Sequence, residues 1–307
     1  MKFAIFISGP FRYLDKVLKQ LDELYADNYN YDIYIHLWDS DKGNKKRGLE
    51  IVDSNLNELT LVYPRIKKIV IEEQPDEKEV IEIIENVVGK ITQKNIVGHS
   101  CLTAMFGMFI AINKLYDEVI LSQEDYSHIL RLRTDISFHD KNLAKIFESP
   151  KKDTIYISLN PLIDDSKISD HSMLVPYKYF SQIWKMQYNP TYIQEYYESF
   201  FNPEILLGKR ISSLSYKTEV VWKRFINYNV VYPNHHQQEP TFIKSLSPND
   251  MFNFYYNEKQ KQIALHDFNY IIDYRRTATF KIFIIKMFRK NKFTSKIIDI
   301  IKSKIRR

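Results

Sequence analysis

Short apolar runs alternate with segments of helical period along roughly the first half of the chain, and few architectures accommodate that alternation. Residues 2–8, with Phe3-Ala4-Ile5-Phe6-Ile7 at their centre, read as a buried strand. Asp15 to Leu24 follows, with Val17, Leu18, Leu21 and Leu24 on one side, as in an amphipathic helix. Further strands are expected at 32–38, 66–71, 127–138 and 154–158, and helices at 77–90 and 99–115. The polar run Asp39 to Gly48 is a loop. An aromatic-rich helical pattern covers 178–199, another helix is expected over 216–227, and 229–232 is extended. The expected fold is therefore α/β with a mostly parallel central sheet, whose ligands gather at carboxyl strand ends.

Composition supports a large core. Hydrophobic residues make up 44% of the 307, with 22 Tyr and 19 Phe, which excludes global disorder. Only 7 Gly are present, and no Walker-type loop, which counts against ATP chemistry. The single cysteine, Cys101, rules out an internal disulfide and fits a reducing compartment; its apolar surroundings read as a buried structural thiol. The apolar run after Met1 is short and lacks a small-residue cleavage site, so a first strand is the better reading than a signal peptide. No stretch reaches the roughly 18–20 uncharged apolar residues that span a bilayer. A cytoplasmic protein is expected.

The positive charge is concentrated at the end. From Tyr274 onward 12 Lys/Arg face Asp299 alone, a local balance of +11, which leaves about −5 of the net +6 for residues 1–273. Phe280, Phe283, Ile284, Met287 and Phe288, then Ile297, Ile298, Ile300, Ile301 and Ile305, recur at helical spacing around Arg289-Lys290-Asn291-Lys292. Two basic amphipathic helices are expected over 274–307. They suit the inner face of the cytoplasmic membrane, an anionic surface, with docking on the body as the alternative. Nucleic acid is not an expected partner, because the body is acidic and carries no recognised binding module.

Several residues carry chemistry. Ser8-Gly9-Pro10-Phe11-Arg12 is a strand-to-helix turn ending in a guanidinium, a setting for phosphate. In Ile129 to Asp135, period-two alternation places Arg131, Arg133 and Asp135 on one face. Charges on an interior strand are costly unless paired or ligand-bound. Two readings stay open: a structural Arg–Asp network, or arginines on a diphosphate with Asp135 on a metal or on sugar hydroxyls. The loop Asp164 to His171 is acidic, with Asp170 and His171 placed where it meets the apolar Met173-Leu174-Val175. Asp170 and Glu219 are candidate general bases; Glu219 could equally be a first-turn Glu favoured by a helix dipole. His235 and His236 are adjacent, and neighbouring residues of an extended segment face opposite ways, so a metal site there is disfavoured.

Taken together, Ile5 to Arg12, Tyr31 to Trp38, and Ile129 to Asp135 with Phe138 resemble a group of bacterial surface-polysaccharide glycosyltransferases that includes the WavE-type lipopolysaccharide-synthesis proteins. The resemblance covers about residues 2–235 and extends, less closely, to Ile168-Ser169-Asp170-His171 and Thr218-Glu219. It implies a GT-A-like fold acting on a nucleotide-diphospho-sugar donor and on a lipopolysaccharide, lipooligosaccharide or capsule acceptor. The implied donor residues are Ser8, Gly9, Arg12, Arg131 and Arg133, with Asp135 ending an Asp-x-Asp metal motif for manganese or magnesium. Here Arg133 stands where that motif has its first Asp. Either Arg133 replaces part of a metal's charge, or a metal binds through Asp135 and Asp170.

Overall fold

The computed structural model describes residues 1–10, 14–25, 29–39, 56–91, 102–138, 144–159, 168–186, 189–214, 216–223 and 228–230. The chain divides into one unit of residues 1–237 and 241–245 and another of 238–240 and 246–307; every described residue belongs to the first. Arg12, residues 40–48 of the expected loop, Cys101, Asp164, Asp165, His235, His236 and the tail 274–307 lie outside the described residues.

The central strand is β1 (Lys2–Pro10), paired in parallel with β2 (Asn30–Trp38) on one side and β4 (His128–Arg133) on the other. β3 (Ile66–Glu72) extends the sheet beyond β2, again in parallel. Beyond β4 lie β7 (Ser172–Pro176), β6 (Thr154–Leu159) and β8 (Lys217–Lys223), giving the order β3-β2-β1-β4-β7-β6-β8. Only β7 runs against its neighbours in this sheet, pairing antiparallel with both β4 and β6. A separate two-stranded ribbon joins β5 (Ile136–Phe138) to β9 (Tyr228–Val230). The fold is α/β with a mostly parallel sheet, as expected.

Helices cover both faces. Phe3, Ile5 and Ile7 share a buried cluster with Leu14, Val17, Leu18 and Leu21 of α1 (Leu14–Tyr25). Ala4 and Phe6 belong to the opposite cluster, with Phe106, Phe109, Ile112 and Leu115 of α4 (Leu102–Ser122). A strand buried on both faces must be apolar throughout, which is why residues 3–7 carry no polar side chain. α2 (Leu56–Val62) precedes β3, and α3 (Glu77–Val88) joins the α4 cluster through Val80 and Ile84. α5 (Ala144–Glu148) precedes β6.

At the amino ends of the strands, buried Asp32 accepts from the Tyr126 hydroxyl at 2.6 Å and meets Lys2 Nζ at 2.8 Å. Burial and the Asp32 carboxylate push the Tyr126 phenol up. The charges at this end of β1 and β2 are thus paired with one another.

Three expectations change. The expected strand 127–138 breaks at a turn over Thr134 and Asp135, which sends β4 and β5 into different sheets. The pattern over 178–199 is two helices, α6 (Tyr177–Trp184) and α7 (Pro190–Glu198). Asn189 caps the second by accepting from Tyr192 N–H, and Pro190 is suited to its first turn. Another capped helix, α8 (Pro203–Ser213), follows. Residues 217–223 of the expected helix 216–227 form strand β8, while 224–227 lie outside the described residues. Thr218, Val220 and Val221 are β-branched, and Trp222 is buried in the cluster that holds Leu130, Leu132 and Tyr156. Lys217 on this edge strand disfavours further pairing.

Candidate active site

After β1 the chain builds outward through β2 and β3, then crosses back to place β4 on the other flank of β1. Where an open sheet reverses its winding in this way, neighbouring connections diverge and leave a crevice outside the carboxyl ends. Here the strand ends at that switch point are Ser8-Gly9-Pro10 and Arg133-Thr134-Asp135.

The two strand ends are fastened together. Thr134 Oγ1 donates to the Pro10 carbonyl at 2.7 Å. Gly9 has φ +143°, and a Cβ built on it would stand 3.0 Å from Thr134 Oγ1. Only glycine tolerates both the backbone angle and the approach.

Around this junction the charged side chains form one cluster. Arg131, 1% exposed, donates to the carbonyls of Asp170 and of His171, the latter at 3.1 Å. Its guanidinium also lies 5.3 Å from the centre of the Trp184 ring. Burial pushes its pKa down to about 10, with Asp170 pulling upward, so it is a cation at neutral pH. Arg133 instead turns to Asp135: Nε donates to Oδ1 at 2.7 Å and Nη2 to Oδ2 at 2.8 Å, a bidentate fork. Its remaining edge faces Asp170, with Nη1 4.0 Å from Oδ2. Arg133 keeps 24% of its side chain exposed, whereas Asp135 keeps 2%.

Asp170 reaches the cluster because β7 is antiparallel. Leu132 pairs with Ser172, so the residues before β7 lie beside the carboxyl end of β4. Burial pushes the Asp170 carboxyl up, but His171, Arg133 and Arg131 outweigh it and hold the pKa below the usual carboxylate range. His171 Nδ1 is 3.0 Å from the Tyr228 hydroxyl, a bond that ties the β5–β9 ribbon to the same place.

A transverse row of polar residues continues from the cluster. Ser8 is in register with Arg133 on one side and His36 on the other. Ser8 Oγ and His36 Nδ1 are buried and hydrogen-bonded to no protein group. His36 Nε2 lies 3.2 Å from Glu72, which also binds Lys114. Burial keeps the His36 imidazole pKa low despite Glu72, which favours the neutral ring.

Of the residues singled out in the sequence, the fold thus gathers Ser8, Gly9, Arg131, Arg133, Asp135 and Asp170. Glu219 does not join them. It lies in β8, pairs with Lys151 at 2.6 Å and shares the row of Tyr156, Leu174 and Leu130. That is about 10 Å along the strands and about 14 Å across from Arg133 at ordinary strand spacings. Lys151 holds its carboxyl below the usual range. The helical first turn expected at Glu219 is corrected to strand β8. Arg131 is enclosed: its Nη1 donates to the carbonyls of Asp170 and His171, while its buried Nε has no hydrogen-bond partner among the described residues. Thr134, His36 and Tyr228 were not singled out; each matters through a partner at least 36 residues away in sequence.

A divalent cation does not fit the described donor set. Both Asp135 oxygens accept from Arg133, and no three His, Cys, Asp or Glu side chains converge among the described residues.

No family model matches the chain, and no curated protein does. Solved structures overlap it in part. A Drosophila β1,4-galactosyltransferase 7 mutant, in complex with manganese, UDP-Gal and xylobiose, gives a TM-score of 0.37 at 12% identity over 81% of this chain and 78% of that one. Glycosyltransferase GlyE of Streptococcus pneumoniae gives 0.36 at 12%, over 72% and 45%. TarS of S. aureus gives 0.40 at 10%, over 87% and 43%, so this chain spans less than half of the GlyE and TarS chains. Overlaps of this size assign no activity to the chain.

The Gly9–Thr134 junction is open to test. Gly9→Ala is expected to destabilise the protein by about 2 kcal/mol, the scale of one strained backbone site. Urea unfolding measures it, and an unchanged midpoint would show that the close approach is not tight in solution.

Proposed function

We propose that the chain is a glycosyltransferase with a GT-A-like fold, acting on a nucleotide-diphospho-sugar donor at the carboxyl ends of β1 and β4. The observation that carries this reading is the site's position. A switch point is where an open sheet binds ligands, and here it holds a partly exposed guanidinium, a buried hydroxyl without a protein partner and a loop carboxylate. The sequence resemblance to surface-polysaccharide glycosyltransferases of the WavE type points the same way.

Glycosyl transfer breaks the bond between the anomeric carbon and the donor's diphosphate and forms one to an acceptor hydroxyl. The electron pair leaves with the nucleoside diphosphate, so the main task is stabilising charge on that group. Arg133 is the described cation best placed for it, and Arg12 would add a second. Ser8 and Gly9 line the nucleotide end. Asp170 would receive the acceptor hydroxyl's proton; its lowered pKa keeps it ionised for that role but makes it a modest base. Arg131 acts through the loop, holding the carbonyls of Asp170 and His171.

The acceptor is proposed to be a lipopolysaccharide, lipooligosaccharide or capsule saccharide, at the inner face of the cytoplasmic membrane, reached through the basic tail 274–307. No described helix is long and apolar enough to cross a membrane. A second reading follows from the closed balance of two guanidiniums and two carboxylates: a catalytically silent, membrane-recruited scaffold would keep such a network for stability alone. Transfer of a group other than a sugar to the same polysaccharide is the remaining alternative.

Release of nucleoside diphosphate from a panel of nucleotide sugars, with saccharide acceptors present, separates these readings. Asp170→Asn is expected to lower kcat by about 100-fold, the lower scale of general-base contributions. Full activity in that variant would remove Asp170 from the chemistry, and no turnover of any donor would favour the scaffold. For the tail, deletion of residues 274–307 is expected to abolish sedimentation with phosphatidylglycerol vesicles; undiminished sedimentation would refute attachment through it.

A further inference from the structure

We infer that this chain binds the donor's diphosphate without a divalent cation, using Arg133 as the fixed positive charge and Asp135 as the residue that orients it. The inference rests on the proposed donor site and concerns how that site handles charge.

Three observations lead to it. First, Asp135 is enclosed and Arg133 is not, so an incoming anion meets the guanidinium before it meets the carboxylate. Second, the contact between them is a two-point fork through Nε and Nη2, which fixes the plane of the guanidinium and turns its Nη1 edge toward Asp170. A cation bound at Asp135 would have to displace that fork and then sit beside a second positive charge, because Arg131 is buried within the same cluster. Third, the other carboxylate already stands beside basic groups: Asp170 lies 4.0 Å from Arg133 Nη1 and 3.8 Å from His171 Nε2. The Asp135 carboxylate therefore serves Arg133, and a metal would have to take it from that arginine.

Arg133 is also well placed along the strand. It is in register with Ser8, one residue before the Gly9–Thr134 junction, so its position is set by the sheet itself rather than by a loop. A rigidly held guanidinium offers planar, two-point contact to phosphate oxygens at no cost in ordering a mobile side chain. Asp135 is on this view a positioning residue: it touches Arg133, not the donor.

Isothermal titration of the full chain with UDP, GDP, ADP and TDP, each in EDTA and in manganese, tests the inference. The nucleotide that binds is expected to bind within about threefold in the two media. Arg133→Ala should weaken it by at least about tenfold, as loss of one charged hydrogen-bonding group does. Arg133→Lys, which keeps the charge but not the fork, should weaken it as well. Arg133→Asp creates two carboxylates two residues apart and should recover binding only in manganese. Electron paramagnetic resonance of the manganese would then report capture of the ion, a signal that a purely structural role for Arg133 would not produce. Wild-type binding that disappears in EDTA would overturn the inference while leaving the donor site standing. If no nucleotide binds in either medium, the donor site itself is wrong, and the inference falls with it. Should Arg133→Ala fail to fold by circular dichroism, the comparison of EDTA with manganese on the wild type still decides between metal-free and metal-dependent binding.

Discussion

Parallel pairing of β1 with β2 on one flank and β4 on the other governs the rest of the molecule. Parallel strands cannot be joined by a tight turn, so every connection among these three must leave the sheet and return over one of its faces. Those returns supply α1 on one face and α4 on the other, and they force β1 to be apolar on both sides. The same pairing makes the chain reverse its winding beside β1. Topology alone therefore makes these carboxyl ends the place where an open sheet binds ligands. The close contact of Gly9 with Thr134 then fixes how near the two strand ends lie.

At those carboxyl ends the sheet holds charges that would be expensive alone. Arg131 is buried with backbone carbonyls and a Trp ring for partners, and Asp135 is buried with the Arg133 fork. Removing one partner from such a set leaves an uncompensated buried charge, typically a loss of about 3–5 kcal/mol. The cluster is thus internally balanced, and its single antiparallel neighbour, β7, is what brings Asp170 and His171 into it. Position along the strand separates the two arginines by exposure. Arg131 lies deep enough to be enclosed and acts on the loop; Arg133, two residues nearer the strand end, keeps an exposed edge.

Much of this was legible from sequence where the physics is local. The apolar run at 3–7 and the helical spacing of Val17, Leu18 and Leu21 marked β1 and α1. Alternation in 129–133 put Arg131 and Arg133 on one face, and both do act on the Asp170 segment. Local pattern failed where tertiary context decides. Thr218 to Trp222 carries enough apolar residues for either a helix or a strand, and pairing with β6 settled it, taking Glu219 away from the site. Period two could not register the turn at Thr134-Asp135, nor tell a buried arginine from a half-buried one. The partners of Thr134, His36 and Tyr228 are remote in sequence, so no local signal exposed their roles.

The central claim is that the junction of β1 and β4 receives the donor's diphosphate. A crystal structure of the full chain grown with the nucleoside diphosphate that it binds measures this directly. The account predicts phosphate oxygens within hydrogen-bonding distance of the Arg133 guanidinium, with the nucleoside alongside Ser8 and Gly9. A nucleotide lodged elsewhere, for instance along the β6–β8 edge near Glu219, would contradict it.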